Sequence, residues 1–292
     1  MTSSTISLTP ASASPKGFSL ARFARRNPLV VFGLLVVILW IALALLAPII
    51  APYDPQKQDV MLSLEPPSPD YPFGNDELGR DMLSRVLYGG RSTIPAGLVV
   101  VLIGSLIGTF VGAIAGYLGG LWDEIMMRLT ELVMAFPTII LALAITAALG
   151  PSIRTAIIAL VIVWWPSYAR VVRSLVLEAK SQDYVEAMRA VGATGPYILF
   201  RTILPNCISP AIILATLDIG TAILTFAGLS FLGLGPEPSS PEWGRMVSAG
   251  VNLFDQWWTW LFPGLGIAIL VLAFNFIGDG LRDLLDPRLR NR

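Results

Sequence analysis

Six long apolar runs constrain this chain more than any other feature of its sequence. Each is about 20 residues long, which is the length an α-helix needs to cross a bilayer. Only 14% of the 292 residues are charged, whereas a soluble protein carries about a quarter. The sequence therefore predicts an all-α polytopic membrane protein with six transmembrane helices. These are expected at Leu29–Ala51, Ile94–Tyr117, Met127–Leu149, Ala156–Val172, Ile208–Leu234 and Trp257–Ile277.

Basic residues predict the orientation of these spans, because Lys and Arg are enriched in cytoplasmic loops. With the N-terminus placed in the cytoplasm, fourteen basic residues fall inside and six outside. Both termini and the connector 183–206 are thus predicted to be cytoplasmic. The expected organisation is a tail (1–28), an uncleaved anchor helix (29–51), an external segment (52–93), a core of five spans (94–280) and a second tail (281–292).

Several classes of enzyme and binding protein are excluded by residues that the chain lacks. It has no histidine and a single cysteine, Cys207, so histidine-based catalysis and the common zinc sites are ruled out. None of its three lysines follows a glycine, so there is no P-loop for ATP. A net charge of zero argues against a nucleic-acid partner. We therefore expect a chain without catalytic residues, metal or bound cofactor.

The connector 183–206 contains residues that are typical of the starts and ends of two short helices. Asp183 and Glu186 have the spacing of a capping box, and Gly192 is placed to end the first helix. Gly195-Pro196 then starts a second helix, which Pro205 is expected to stop before the fifth span.

The first of these helices is predicted to be amphipathic. An apolar stripe at helical spacing either fills an interface within the chain or docks into a groove on a partner. The stripe comprises Tyr184, Ala187, Met188 and Val191.

Glycines recur every four residues along the second apolar run, on one helix face. Small residues at this spacing allow two membrane helices to approach closely. The pattern is explained by helix packing or, alternatively, by an interface that moves during transport. The glycines are Gly104, Gly108, Gly112 and Gly116.

Two carboxylates lie in or near predicted spans, where an isolated charge is costly. Glu131 is one turn from Arg128, so it either forms a local ion pair or faces a polar pathway or interface. Asp218 has no cation near it in sequence. It is expected to line a substrate path or to hydrogen-bond to a neighbouring helix or another subunit.

The external segment contains a further predicted helix. Asp81 can cap it, and Gly89-Gly90 is expected to end it. This helix would either lie on the membrane surface or meet an external partner. Its expected apolar face comprises Met82, Leu83, Val86 and Leu87.

The connector resembles the EAA loop of ATP-binding-cassette importer permeases. That pattern is Glu-Ala-Ala, three residues, Gly, nine residues and Ile-x-Leu-Pro. The chain departs from it at Met188 and Thr202. Residues in register are Glu186, Ala187, Gly192, Leu204 and Pro205.

Other motifs resemble one branch of this family, the second permease subunit of dipeptide, oligopeptide and nickel importers. Their order along the chain agrees with that branch. They are 51–55 (APYDP), 73–81 (FGNDELGRD), 229–235 (LSFLGLG), 241–244 (PEWG) and 278–287 (GDGLRDLLDP).

The resemblance implies a type I importer permease fold in the bacterial inner membrane. It also implies a homologous permease partner, two cytoplasmic ATPases that bind ATP and Mg²⁺, and an external solute-binding protein. The transported solute would be a peptide or, alternatively, nickel, glutathione or an opine-like compound. An ion-coupled secondary transporter is the alternative of another class. Residues implied in ATPase docking are Asp183, Glu186, Ala187, Arg189, Ala190, Gly192, Leu204 and Pro205.

Overall fold

The computed structural model describes residues 27–285, and within that range it contains helices and no β-strand. Five helices (α1, α2, α5, α7 and α9) are each long and apolar enough to cross a membrane, and α3 with α4 makes a bent sixth candidate. The tails at 1–26 and 286–292 lie outside the described residues. The helices are α1 Pro28–Ile50, α2 Met82–Leu118, α3 Gly120–Met134, α4 Thr138–Leu149, α5 Ile153–Lys180, α6 Asp183–Ala190, α7 Gly195–Leu234, α8 Trp243–Gly250 and α9 Trp258–Leu285.

The third apolar run does not form one straight helix, so the prediction for Met127–Leu149 is wrong in this respect. Helices α3 and α4 meet at 89°, across a break at residues 135–137. Pro137 caps α4 and lacks the N–H that a continuous helix would require. The residue before a proline also avoids the helical conformation. These two effects end α3 at Met134.

The fourth run, in contrast, is one helix despite Pro166. α5 runs unbroken from Ile153 to Lys180. The hydroxyl of Ser152 caps it by accepting a hydrogen bond from the N–H of Thr155 (3.1 Å).

Helix α2 is a single helix of 37 residues, so Gly89-Gly90 does not end a separate short helix as predicted. A Cβ on Gly89 would lie 2.5 Å from the indole Cδ1 of Trp243, and one on Gly90 would lie 3.2 Å from Cβ of Ala44. These glycines let other elements approach the helix. The predicted cap is confirmed, because Asp81 accepts a hydrogen bond from the N–H of Ser84 (2.8 Å).

The start of α2 is internal. Three of the four residues in its predicted apolar face, Met82, Val86 and Leu87, are buried in the protein core. The alternative in which this helix lies on the membrane surface is therefore wrong.

The glycine stripe of α2 packs against α5, and the helix-packing interpretation is confirmed. A Cβ on Gly104 would contact the Trp164 side chain, and one on Gly112 would collide with the backbone of Ala169. Gly108 and Gly116 lie one turn before and one turn after Gly112 and pack against the same helix. Backbone-to-backbone contact of this kind stabilises helix pairs in lipid through close packing.

Gly112→Ala is expected to destabilise the fold by about 1–3 kcal/mol, because the added methyl group overpacks the α2–α5 contact. Gly228→Ala is the matched control, since a Cβ there would meet nothing within 4 Å. The control should be neutral or slightly stabilising, as alanine favours helix more than glycine does. Thermal unfolding in detergent checks both. Equal stability of the two variants would contradict the packing argument.

A buried tryptophan and a buried glutamate tie α8 to α1 and α2. Trp243 donates from Nε1 to the carbonyl oxygen of Val86 (2.9 Å), and its ring meets Trp40 edge-on at 4.8 Å between centroids. Glu242 is 0% exposed and accepts a hydrogen bond from the hydroxyl of Thr93 (3.0 Å). The Glu-Trp pair of the 241–244 motif thus serves the fold.

Glu242 also caps α8. Its carboxylate accepts hydrogen bonds from the N–H groups of Gly244 (3.0 Å) and Arg245 (2.9 Å). Burial raises the pKa of this carboxyl, and these hydrogen bonds act in the opposite direction.

Candidate functional site

Helix α6 is fastened to the membrane helices by its inner face. Val185 is 0% exposed, and Met188, one turn further on, is half-buried beside it. The apolar cluster around Val185 joins three helices to α6. It includes Ala113 of α2, Val172 and Val176 of α5, and Ile198, Leu199, Ile203, Cys207 and Ala211 of α7. Movement of α6 would therefore act on α2, α5 and α7 together.

The N-terminus of α6 differs from the predicted capping box. Gln182 is the N-cap residue, and its side chain makes no capping hydrogen bond. Asp183 and Glu186 both lie in the first turn, where their negative charges favour the helix through its dipole. The sequence signal was correct about where the helix starts and wrong about the hydrogen bonds.

The C-terminus of α6 is the turn predicted at Gly192. Gly192 has φ +84°, and its N–H donates to the carbonyl of Arg189 (2.9 Å). The N–H of Ala193 donates to the carbonyl of Met188 (3.0 Å). This pair of hydrogen bonds is a Schellman motif, which requires the left-handed conformation at its glycine. A Cβ at Gly192 would meet nothing within 4 Å, so backbone conformation, rather than space, favours glycine.

The outer face of α6 carries part of the predicted apolar stripe. Tyr184 is 41% exposed, Val191 is 79% exposed, and Ala187 lies between them on the surface. Met188, however, faces inward, so the prediction that all four stripe residues share one docking face is wrong. The remaining helix residues proposed for docking are also exposed: Asp183, Glu186, Arg189 and Ala190.

The second connector helix begins at Gly195, as predicted, but Pro205 does not stop it. The chain continues as α7 to Leu234. A π-helical turn at Ile198–Ile203 precedes the proline, and the N–H of Leu204 donates to the carbonyl of Leu199. This wider turn accommodates a proline that would break a regular helix. Leu204 packs beside the α6 cluster, whereas Pro205 is exposed.

Asp218 lies where α7 packs on α5. One of its oxygens, Oδ2, accepts hydrogen bonds from Tyr168 Oη (2.7 Å) and Trp164 Nε1 (3.2 Å). Both donors are buried, whereas Asp218 itself is half-exposed. The predicted hydrogen bond to a neighbouring helix is thus present.

Glu131 forms the predicted local ion pair with Arg128, at 3.4 Å between Oε2 and Nη1. Both side chains are more than 60% exposed. An exposed pair of this kind contributes little stability.

A second ion pair was missed from the sequence. Arg173 of α5 donates from Nε and Nη2 to the two oxygens of Asp123 in α3, at 2.5 and 2.6 Å. The residues are 50 positions apart, and no local spacing connects them. In the sequence, the only signal of this ion pair is the charge of Asp123 beside an apolar run.

A cavity of about 630 Å³ opens between the segment before α2 and the segment around α8. Its wall carries charges of both signs, including Glu77, Glu237 and Arg245. In the same wall, Asp76 accepts a hydrogen bond from Arg80 Nε (2.6 Å), and Arg85 donates to the carbonyl of Pro55 (3.0 Å). These contacts give the segment 52–81 a fixed structure.

The sequence matches two known families. The family described as binding-protein-dependent transport system inner membrane component matches residues 108–291. The N-terminal TM domain of oligopeptide transport permease C matches residues 20–67. Together these matches extend over both the connector and the anchor helix.

Individual proteins agree with these matches. The probable D,D-dipeptide transport system permease protein of Escherichia coli is 42% identical over 93% of this chain and 92% of its own length. The di/tripeptide transport system permease protein of Pseudomonas aeruginosa is 43% identical over 89% of this chain and 88% of its own. Among solved structures, an inward-facing MetNI methionine ABC transporter chain superposes with a TM-score of 0.59 at 21% identity. That superposition covers 70% of this chain and 98% of the MetNI chain and shows a shared fold.

The candidate spans and these matches identify a multi-pass inner-membrane protein with the fold of an importer permease. A permease of this kind works with an ATPase and a binding protein. The alternative of an ion-coupled secondary transporter is not supported by any of these relatives. The chain belongs to the binding-protein-dependent transport system inner membrane components, the permeases of ATP-binding-cassette importers.

Proposed function

We propose that this chain is one of two homologous permeases enclosing a pathway for di- or oligopeptides. A solute-binding protein delivers the peptide from outside, and two ATPases that hold ATP and Mg²⁺ drive the cycle from the cytoplasm. The observation that carries the proposal is helix α6, which has one face buried in the chain and an apolar face open to a partner. The peptide as solute is supported by the names of the E. coli and P. aeruginosa relatives.

In this proposal the outer face of α6 rests in a groove on an ATPase. Tyr184 and Val191 supply apolar contact, and Ala187 permits close approach between them. Glu186 and Arg189 lie beside this surface as polar contacts. ATP can change the permease only if the docked helix is held differently in the two states of the ATPase. The inner face then carries the displacement into the membrane helices.

The orientation follows from the excess of basic residues on the connector side. In this proposal both termini and α6 lie in the cytoplasm, and the cavity beside Arg245 lies outside, on the side of the binding protein.

Reconstitution of the complete importer in proteoliposomes tests this function. Uptake of a radiolabelled dipeptide is expected only when ATP is inside, the binding protein outside and both ATPases present. Uptake that persists in vesicles lacking the ATPases would overturn the proposal and favour ion-coupled transport.

A binding panel on the cognate binding protein separates the solutes, with dipeptides, glutathione, nickel and an opine as probes. Binding of nickel or an opine alone would overturn the peptide assignment.

A further inference from the structure

One oxygen of Asp218 is held by the protein and the other is left open. Both intrachain hydrogen bonds, from Tyr168 and Trp164, arrive at Oδ2. Oδ1 has no hydrogen-bond partner within residues 27–285, and it is not among their buried unpaired atoms. The carboxylate is therefore fixed in position while still presenting an acceptor to its surroundings.

The helix face beside Asp218 is polar as well. Thr221 and Thr225 follow at i+3 and i+7, which places them on the same side of α7. Thr221 is exposed and Thr225 is half-exposed. The hydroxyl of Thr225 donates to the carbonyl of Thr221 (2.8 Å), which leaves its oxygen lone pairs available as acceptors.

This face does not suit lipid. A carboxylate facing hydrocarbon is costly, and charged residues in spans therefore face a cavity, a pathway or a partner. Other exposed positions on α7, such as Leu224 and Leu232, are apolar and suit lipid better. The donors that hold Asp218 are neutral, so its negative charge has no cation within the described chain.

We infer that Asp218, with Thr221 and Thr225, forms a cation-accepting site on the translocation pathway, where it holds the side-chain ammonium of a passing lysine-containing peptide. The carboxylate supplies the charge, and the threonine oxygens supply further acceptors for an ammonium, which has three donors. Tyr168 acts as a positioning residue, because its hydroxyl fixes the carboxylate without meeting the solute. The inference rests on the proposed function.

Uptake of three dipeptides that differ in net charge tests this site. The complete importer is compared with Asp218→Asn, using saturating alanyl-lysine, alanyl-glutamine and alanyl-glutamate. The maximal rate for alanyl-lysine should fall about tenfold, which corresponds to losing one charge-assisted hydrogen bond. The loss should be smaller for alanyl-glutamine and smallest for alanyl-glutamate. Tyr168→Phe should give the same order with smaller losses.

Glu131→Gln is the matched control, since it removes an exposed carboxylate from another helix. It should leave the three rates unchanged. An equal loss for all three dipeptides, or reduced recovery of the Asp218→Asn complex, would show a subunit contact and overturn the inference. Unchanged rates would overturn it too. If even the wild-type importer takes up peptide without ATP, the proposed function itself has failed, which is a different result.

Discussion

An importer carrying Ala187→Trp is expected to insert and fold normally but to lose most of its ATP-driven uptake. Ala187 is exposed on the outer face of α6, so a larger side chain there does not have to enter the core of the described chain. In the docked complex it would overpack the groove by about 1–3 kcal/mol. Since about 1.4 kcal/mol is tenfold, uptake should fall about 5- to 150-fold. Uptake and co-purification with the ATPases are the measurements.

Two controls separate docking from general damage in this experiment. Ala187→Ser keeps the side chain small and should retain uptake. Ala148→Trp adds the same bulk to an exposed alanine of α4, away from the connector, and should retain binding of the ATPases. Normal uptake and normal co-purification by Ala187→Trp would refute the docking role of α6.

Glu242→Ala is expected to cause a large loss of stability where α8 packs on α1 and α2. It removes the acceptor for two backbone N–H groups of α8 and for the hydroxyl of Thr93. The two fully buried donors among these, the hydroxyl of Thr93 and the N–H of Gly244, cost about 1–3 kcal/mol each when left without partners, so a total of about 2–6 kcal/mol is expected. The unfolding temperature in detergent and the yield of folded protein measure the loss.

The matched control for this change is Glu77→Ala, which removes an exposed acid from the segment before α2. Its effect should stay within about 0.5 kcal/mol, as for other surface substitutions. Glu242→Gln retains one acceptor oxygen and should recover part of the stability. If Glu242→Ala unfolds at the same temperature as Glu77→Ala, the proposed role of the buried carboxylate is incorrect.

Hydropathy predicted the membrane helices well, because an apolar run of sufficient length has few other stable structures. What it did not predict was where a helix is interrupted. Pro137 breaks the third run, Pro166 is tolerated within α5, and Pro205 is absorbed by a π-helical turn. The same residue type gives three outcomes, because each depends on packing by residues distant in sequence.

The roles of the glycines were equally hard to predict from local sequence. Gly192 ends α6 through its positive φ, as its spacing indicates. Gly89 stays within α2 because Trp243, 154 positions later, packs against it. Local sequence cannot distinguish a glycine that provides a turn from one that provides space.

The candidate site was predicted in position but only partly in orientation. The EAA pattern located α6 and its terminal glycine. It did not indicate that Val185 is the residue buried against the membrane helices. Val185 and the stripe residues beside it are all apolar, so the sequence does not show which face of this short helix is buried. The bond between Asp218 and Tyr168 joins residues 50 positions apart, and no spacing rule reaches that far.

The two faces of α6 also have a consequence for engineering. Residues that hold the helix to its own chain, such as Val185, are distinct from those that a partner would touch, such as Tyr184 and Val191. If α6 docks as proposed, such a permease could be given a different ATPase partner by redesigning a few outward side chains, without altering its membrane helices.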